Sequence, residues 1–199
     1  MTKTRILRYP AVAIAIAAAA VLSPVASSAQ LFTPTYMSPV SSNDLGIYVS
    51  DGPGEFALEG IWRRNMGGYD LGLRAGLVDL NDAAVTVGAE LRTPLGLETA
   101  PLNVAVTGGL QAIVGDISAM GAQGGLSVGH TFIADGLRLT PYIHPRIAVI
   151  NGFGPDDDSD LEVLADVGMD VDLNSGLSFR LALGLADEGA DFGFGIAWR

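Results

Sequence analysis

The sequence predicts an all-β protein of about ten short antiparallel strands, preceded by an export leader. Three observations support this prediction. Apolar and polar residues alternate with period two along most of the chain, turn-forming residues separate the alternating segments, and no stretch is left over for a buried helix. The 199 residues, 49% hydrophobic and 17% charged, are enough for one domain and too apolar for a disordered chain.

The first 29 residues have the three parts of a signal peptide. Lys3, Arg5 and Arg8 form a basic start, residues 11–22 are an uninterrupted apolar run, and Ser27-Ser28-Ala29 supplies the small residues of a cleavage site. The apolar run is shorter than the roughly 20 residues that a membrane-spanning helix needs. An uncleaved amphipathic anchor is the alternative, but the run has no polar face. We therefore predict that residues 1–29 are removed during export.

The composition of the remaining chain excludes several functional classes. Without the leader it has eight arginines, no lysine and 22 acidic residues, so it has no basic face for a nucleic acid. The absence of cysteine excludes a disulfide framework, a thiolate metal site and a lipidated cysteine. We expect no nucleic-acid partner, no metal and no cofactor.

The strands follow one another from residue 44 to the end of the chain, after a lead-in over residues 30–43. The lead-in is rich in Ser, Thr and Pro and shows no period, so we expect it to be extended. Alternation predicts the strands Leu45–Ser50, Glu55–Arg63, Tyr69–Leu77, Ala84–Arg92, Leu102–Val114, Gly121–Phe132, Leu137–Ile147, Leu161–Leu173, Leu177–Leu185 and Asp191–Trp198.

The last strand shows the alternation most clearly, and the first and sixth show it least. In the last strand Phe192, Phe194, Ile196 and Trp198 share one face, because successive side chains of a strand point to opposite faces. The first strand is short and the sixth is rich in glycine. Turn signals that suit antiparallel hairpins separate several strands, at Asp51-Gly52-Pro53-Gly54, Asn81-Asp82, Asp135-Gly136 and Asn174-Ser175-Gly176.

Alternation alone leaves two architectures open. A soluble barrel or sandwich points the apolar face inward, whereas a membrane barrel points it outward to lipid. Three features favour the membrane barrel: strand lengths near the 9–11 residues that a tilted strand needs to span a bilayer, charges of opposite sign on neighbouring strands, and small residues on the polar faces. These small residues, which would suit a narrow lumen, are Gly72, Gly76, Gly88, Gly109, Gly184, Gly193 and Gly195.

The charged residues of the later strands predict a network inside the barrel. An acidic face on one strand lies between two strands with basic residues, and an unpaired buried charge is costly, so these side chains are expected to pair. The network consists of Arg138, His144, Arg146, Glu162, Asp166, Asp170 and Arg180. Aromatic residues near strand ends, Trp62, Tyr69, Tyr142 and Trp198, are candidates for membrane-interface girdles.

The chain resembles the small outer-membrane β-barrel proteins of Gram-negative bacteria over about residues 44–199. The resemblance consists of the leader, the repeated amphipathic strands and a final strand ending in Trp198, although Arg199 displaces the terminal aromatic residue by one position. It implies a transmembrane up-and-down barrel in the outer membrane with both termini periplasmic. It also implies contact with outer-membrane lipid and lipopolysaccharide and with the barrel-insertion machinery.

We expect a structural or interaction barrel, or a narrow pore, with a lumen filled by arginine and acidic side chains and no catalysis. A soluble periplasmic barrel that binds a small apolar ligand is the alternative, and a membrane-embedded hydrolase is a third reading. Ser127 lies in a Gly-x-Ser-x-Gly pattern with His130 next to it, but no helix follows as in a nucleophile elbow. His144 lies on a polar face and could reach Asp166 or Asp170, without an evident nucleophile. We interpret the acidic stretch 156–160 as a solvated loop.

Overall fold

The computed structural model describes residues 34–52, 55–79, 83–96, 101–115, 118–152, 159–186 and 189–199. They form a closed antiparallel β-barrel of ten strands, which confirms the predicted fold. The predicted signal peptide, residues 1–29, lies outside the described residues. The elements are β1 (Asp44–Ser50), β2 (Phe56–Asn65), β3 (Asp70–Asp79), β4 (Ala83–Leu95), β5 (Asn103–Val114), β6 (Ala119–Gly129), β7 (Phe132–Ala134), β8 (Leu137–Gly152), β9 (Ser159–Leu173), β10 (Leu177–Ala186) and β11 (Gly189–Trp198).

Each strand pairs with its neighbours in sequence, and the first strand closes the barrel by pairing with the last. At this seam Leu45 lies opposite Trp198 and Ser50 opposite Gly193. β1 therefore begins, and β11 ends, at the same end of the barrel, which we call the seam end. The other end is called the loop end. This is the up-and-down topology that the hairpin signals predict, since each turn joins strands that are adjacent in the sheet.

β6 and β7 are two parts of one interrupted strand, which is why eleven elements make a ten-strand barrel. Both pair with β8 in the same register, and the interruption lies opposite Pro141. Proline has no N–H to donate to a sheet. The pairing of β6 with β8 also skips the position of Pro145. The glycine-rich segment whose alternation is weak in the sequence is therefore the strand that faces two prolines.

The turn between β7 and β8 shows how the sequence sets the strand pairing. Asp135 and Gly136 have φ values of 46° and 84°, and they alone connect the two elements. Two consecutive residues with positive φ form the hairpin turn whose twist matches that of the flanking strands. Glycine adopts this conformation without strain and aspartate tolerates it, which explains the Asp-Gly pair.

The outer surface of the barrel is apolar. On β1, Leu45 and Ile47 are 56% and 54% exposed, whereas Tyr48 between the outward positions is buried. The same alternation recurs on the other strands, where the exposed side chains include Leu73, Leu77, Val85, Val87, Leu91, Leu110, Ile143, Ile147 and Val163. An apolar exterior around a polar interior is the arrangement of a transmembrane barrel. It is the reverse of a soluble barrel with an apolar pocket.

Exposed aromatic side chains lie near both ends of this apolar surface. Trp62, Tyr69 and Trp198 are exposed near the seam end, and Phe56 and Phe192 near the loop end. Tyr142, which the sequence placed with the girdle residues, is only 3% exposed and lies inside the barrel. That assignment was wrong because Tyr142 occupies an inward position of β8. None of the described residues belongs to a helix long and apolar enough to cross a membrane.

Candidate functional site

The inward face of the barrel is lined with paired charges. Among the described residues, five arginines and eight carboxylates are buried there. Each of the five arginines bonds to at least one carboxylate, as expected where an unpaired charge would be costly. The arginines are Arg63, Arg74, Arg92, Arg146 and Arg180, and the carboxylates are Asp44, Glu59, Asp70, Glu90, Asp166, Asp170, Asp172 and Asp191.

Three of the ion pairs lie on β2, β3 and β4, which we call the arginine side of the lumen. Arg63 Nε lies 2.5 Å from Glu90 Oε1, Arg92 Nη2 lies 2.6 Å from Asp70 Oδ2, and Arg74 Nε lies 3.0 Å from Glu59 Oε1. The sequence analysis did not include these residues in the predicted network. Their inward position could have been predicted, because all of them lie on the polar faces of alternating strands.

Inward glycines allow a long side chain to reach across one strand to the next. Gly72 of β3 lies opposite Arg63 on one side and Glu90 on the other, and a Cβ there would overlap the Glu90 side chain. Gly195 of β11 separates Tyr48 from Arg180 in the same way. Arg180 Nη1 donates to Tyr48 Oη over 2.8 Å across that gap. Glycine on a polar face therefore has a packing role in this barrel.

The other pairs lie on β8, β9 and β10, which we call the aspartate side. Arg146 Nη2 lies 2.8 Å from Asp166 Oδ1, and His144 Nδ1 lies 3.4 Å from Asp166 Oδ2. Arg180 forms an ion pair with Asp44 across the seam and lies 3.7 Å from Asp170. Of the seven residues in the network predicted from the sequence, the structure places five in two groups, His144, Arg146 and Asp166 in one and Asp170 and Arg180 in the other.

The remaining two predicted network residues lie away from this group. Arg138 is near the seam end of β8 and Glu162 is near the loop end of β9, and both are partly exposed. Their faces agree with the alternation, but their positions along the strands separate them from the central pairs. Sequence alternation identifies the face of a strand residue, whereas the stagger of the strands determines its depth in the barrel.

Residues 34–42, which we call the lumenal segment, lie inside the barrel. Thr35 and Ser38 are completely buried, and Tyr36 and Met37 nearly so. The sequence predicted only an extended lead-in without a periodic pattern. Its polar residues are buried because the lumen wall bonds to them, and a periodicity analysis does not detect such contacts.

The carbonyl groups of the lumenal segment accept hydrogen bonds from the wall. Arg63 Nη2 donates to Thr35 O over 3.2 Å, Arg92 Nη1 donates to Ser38 O over 2.6 Å, and Ser127 Oγ donates to Met37 O over 2.6 Å. Buried backbone groups without a partner are costly, so these donors replace the strand or helix bonds that the segment does not form. Three alternate strands of the wall, β2, β4 and β6, thus bind one stretch of backbone.

The amide and hydroxyl groups of the segment bond to several strands of the wall. Thr35 N donates to Asp166 Oδ2 over 3.2 Å, and the Thr35 hydroxyl also donates to Asp166. Tyr36 Oη donates to Val49 O over 3.1 Å, and its ring packs on Tyr48 with a centroid distance of 4.5 Å. Ser42 bonds to Asp70 and Arg92 at the seam end. The segment therefore descends from the middle of the lumen to the seam end, where the chain reverses into β1.

The side chains that are candidates for catalysis in the sequence, Ser127, His130 and His144, lie in three different environments. Ser127 is buried and its hydroxyl donates a hydrogen bond to Met37 O. The His130 ring packs against Phe132 at 4.5 Å on the outer face. His144 is buried between hydroxyl groups: Thr107 Oγ1 lies 2.8 Å from Nε2, and Thr35 Oγ1 lies 3.0 Å from Nδ1.

Thr107, His144 and Asp166 are ordered as a hydroxyl, an imidazole and a carboxylate, as in activated nucleophiles. Thr35 bonds to both His144 and Asp166, so the lumenal segment covers this group. No group of three or more potential metal ligands comes together among the described residues. The acidic stretch 156–160 falls largely outside them, since the description resumes at Ser159.

The comparisons with known proteins concern the fold. No protein-family model matches the chain, and no curated protein is a significant match. Among solved structures, the chain is similar to a KdgM porin in complex with disordered oligogalacturonate, with 8% identity over 78% of this chain and 97% of the other and a TM-score of 0.44. It is also similar to the beta domain of the Bordetella autotransporter BrkA, with 14% identity over 79% and 76% of the two chains and a TM-score of 0.48.

A third solved structure similar to the chain is LpxR from Salmonella typhimurium. The identity is 11% over 78% of this chain and 99% of the other, with a TM-score of 0.43. With identities of 8–14%, these similarities concern the barrel fold alone.

Proposed function

We propose that the chain forms a transmembrane β-barrel of the outer membrane that is closed to solutes in the described state and has a structural or interaction role. The observation that supports closure is the lumenal segment, whose backbone bonds to both sides of the lumen at once. The observation that supports the membrane location is the apolar exterior with exposed aromatic residues near both ends.

Packing between the lumenal segment and the arginine side supports closure. The cavity between them, lined by Met37, Arg63, Asp70, Gly72, Glu90 and Arg92, has a volume of about 10 Å³. This is room for about one water molecule. A hydrated ion or a sugar that passed this level would have to break the hydrogen bonds of Arg63 and Arg92 to the segment. A ten-strand barrel is only slightly wider than one whose interior is filled by its own side chains.

Two measurements on the mature chain test this proposal. The detergent-extracted membrane fraction is run unboiled and boiled on a denaturing gel, and we expect a heat-dependent shift of the band because a closed barrel resists detergent. The same protein is reconstituted in planar bilayers, where we expect no steady current. Recovery of the protein in the soluble periplasmic extract without a shift would contradict the membrane location, and steady conductance of the wild type would contradict closure.

A hydrolytic role is the second candidate, favoured by the 2.8 Å contact of Thr107 with His144 and the contact of His144 with Asp166. The test is hydrolysis of a fluorogenic ester and of outer-membrane lipid by the reconstituted protein. Activity that is lost in Thr107→Val and His144→Ala, but kept in Ser127→Ala, would support it. Absence of activity in a correctly folded wild type would leave the closed structural barrel as the better description.

A further inference from the structure

We propose that the lumenal segment is a releasable plug, and that the barrel behind it is a narrow pore selective for small cations. The proposal rests on the proposed closed membrane barrel and adds a second, conducting state. Its physical basis is that the wall forms its strand pairings and its ion pairs without the segment. The segment, in contrast, depends on the wall for nearly every buried polar contact.

The sheet of the barrel is complete without the lumenal segment. All strand pairings of the barrel are formed among β1 to β11, and the lumenal segment adds no strand to the sheet. It touches the wall through single hydrogen bonds from side chains, such as those of Arg63, Arg92 and Ser127. Removal of the segment therefore leaves every ladder of the barrel intact.

The ion pairs of the lumen are formed without the lumenal segment. Residues 34–42 contain no charged side chain, so the segment takes part in no ion pair of the lumen. The arginines it touches have their own carboxylates, Glu90 for Arg63 and Asp70 for Arg92. Departure of the segment breaks neutral or singly charged hydrogen bonds, which entering water can replace. A plug held by ion pairs would instead leave unpaired charges behind.

The charges that line the lumen determine which ions an opened pore would pass. The buried set among the described residues has eight carboxylates against five arginines, so the lining is acidic overall. Asp44 Oδ1, Glu90 Oε2 and Asp170 Oδ1 are buried and have no hydrogen-bond partner in the part of the chain that the structure describes. Acidic linings favour cations in channels. The opened pore should therefore pass small cations in preference to anions.

Gly193 offers a way to expel the segment without altering any charge or any residue of the segment. It lies on the inward face of β11, and a Cβ there would overlap Tyr36 Oη and come within 2.6 Å of Pro34 Cγ. Gly193→Val therefore fills the space that the segment occupies. The matched control is Gly60→Val on the outer face, where the nearest atom to a new Cβ is Ala75 O at 3.8 Å.

The experiment records currents in planar bilayers under a potassium chloride gradient. We expect no steady current from the wild type and Gly60→Val, and sustained current steps from Gly193→Val whose reversal potential has the sign of cation selectivity. A synthetic peptide of residues 30–43 should reduce these currents when added. Gly193→Val protein that shows the heat-dependent gel shift but stays silent would overturn the plug, and currents selective for anions would overturn the acidic pore.

A labelling experiment keeps the proposal testable where Gly193→Val does not fold. The chain has no cysteine, so a single substitution gives a unique thiol. Ser38→Cys places it in the buried part of the plug, and Asn43→Cys places it at an exposed position just beyond. In the folded barrel we expect slow labelling of Ser38→Cys by a charged maleimide and fast labelling of Asn43→Cys. No labelling of Ser38→Cys over hours, with full labelling of Asn43→Cys, would overturn release.

The two proposals fail in different ways. A wild type that is soluble, or that conducts steadily, contradicts the closed membrane barrel itself. A wild type that is membrane-embedded and silent, combined with a folded and silent Gly193→Val, contradicts only the releasable plug.

Discussion

The arginine side and the aspartate side of the lumen bind the same stretch of backbone through opposite chemistry. On β2 and β4, Arg63 and Arg92 donate hydrogen bonds to carbonyl groups of the lumenal segment. On β9, Asp166 accepts hydrogen bonds from the amide and hydroxyl of Thr35. At Thr35 the wall thus supplies a donor on one side and an acceptor on the other, whereas at the seam end the arginine side also supplies an acceptor, Asp70, for Ser42 N.

The contacts on the two sides explain how a charged wall can bind a neutral peptide. Each charged group that contacts the segment is already neutralised by a partner on the wall, as Arg63 is by Glu90 and Asp166 by Arg146. Hydrogen bonds to charged groups are stronger than those between neutral groups. The segment therefore gains charge-assisted bonds without bringing a charge into the barrel.

The largest expected effect is that of Arg180→Ala, which removes the arginine at the seam. Arg180 contacts Asp44, Asp170 and Tyr48, so its loss leaves two buried carboxylates without their cation. We expect the free energy of unfolding to fall by about 3–5 kcal/mol, the usual cost of breaking a buried pair. Urea titration of the heat-dependent gel shift measures it, with the exposed Arg64→Ala as the control. Equal stability of the two variants would mean that these carboxylates are solvated.

Thr35→Val tests the aspartate side of the comparison from the segment. Valine keeps the shape of threonine but loses the hydroxyl that Asp166 and His144 share. A hydrogen bond to a charged group contributes about 1.5–3 kcal/mol, and we expect a loss of that size in the same titration. The control is Thr140→Val, where a buried hydroxyl bonds to the neutral side chain of Thr131. The comparison between the two sides would be wrong if both variants lost the same stability.

Ser127→Ala tests a neutral contact to the segment. The Ser127 hydroxyl donates to Met37 O, and its removal leaves a buried carbonyl without that donor. We expect a loss of about 1 kcal/mol, the net contribution of a neutral hydrogen bond. Thermal unfolding followed by circular dichroism measures it, with Ser118→Ala in an exposed turn as the control. A loss as large as that of Thr35→Val would show that charge assistance is not what distinguishes the contacts.

The smallest expected effect is that of Arg199→Ala, outside the lumen. Arg199 Nη2 lies 2.7 Å from Asp172 Oδ1, and the arginine side chain is partly exposed at the seam end. Exposed pairs contribute about 0.2–1 kcal/mol and are screened by salt. We expect a loss in that range at low ionic strength that disappears at high salt, whereas the loss in Arg180→Ala should persist. A loss that salt leaves unchanged would place this pair with the buried ones.

The sequence predicted the fold well because strand alternation reports directly on the two faces of a barrel wall. All ten predicted strands are found, and the strand with the weakest pattern, β6 with β7, faces Pro141 and Pro145. Turn chemistry was equally informative where it was strong, as at Asp135-Gly136. Strand ends were less well predicted, and β8 extends to Gly152, five residues beyond the predicted end at Ile147.

The interior was predicted only in part, for two physical reasons. Opposite charges that face each other on adjacent strands can be predicted from alternation, as for Arg180 and Asp170. Arg63 and Glu90 are separated by β3, and their contact depends on the glycine between them. The lumenal segment has no periodicity of its own, since its conformation is set by the wall that encloses it.

The lumenal segment leads directly into β1, and β1 forms the closing seam with β11. Its contacts with Asp166 join residues 131 positions apart in the chain. The first residues of the folded region are therefore fully enclosed only when the last strand has paired with the first. Such distant contacts form late in folding. Once the seam has closed, the segment can leave only lengthwise through an open end of the barrel.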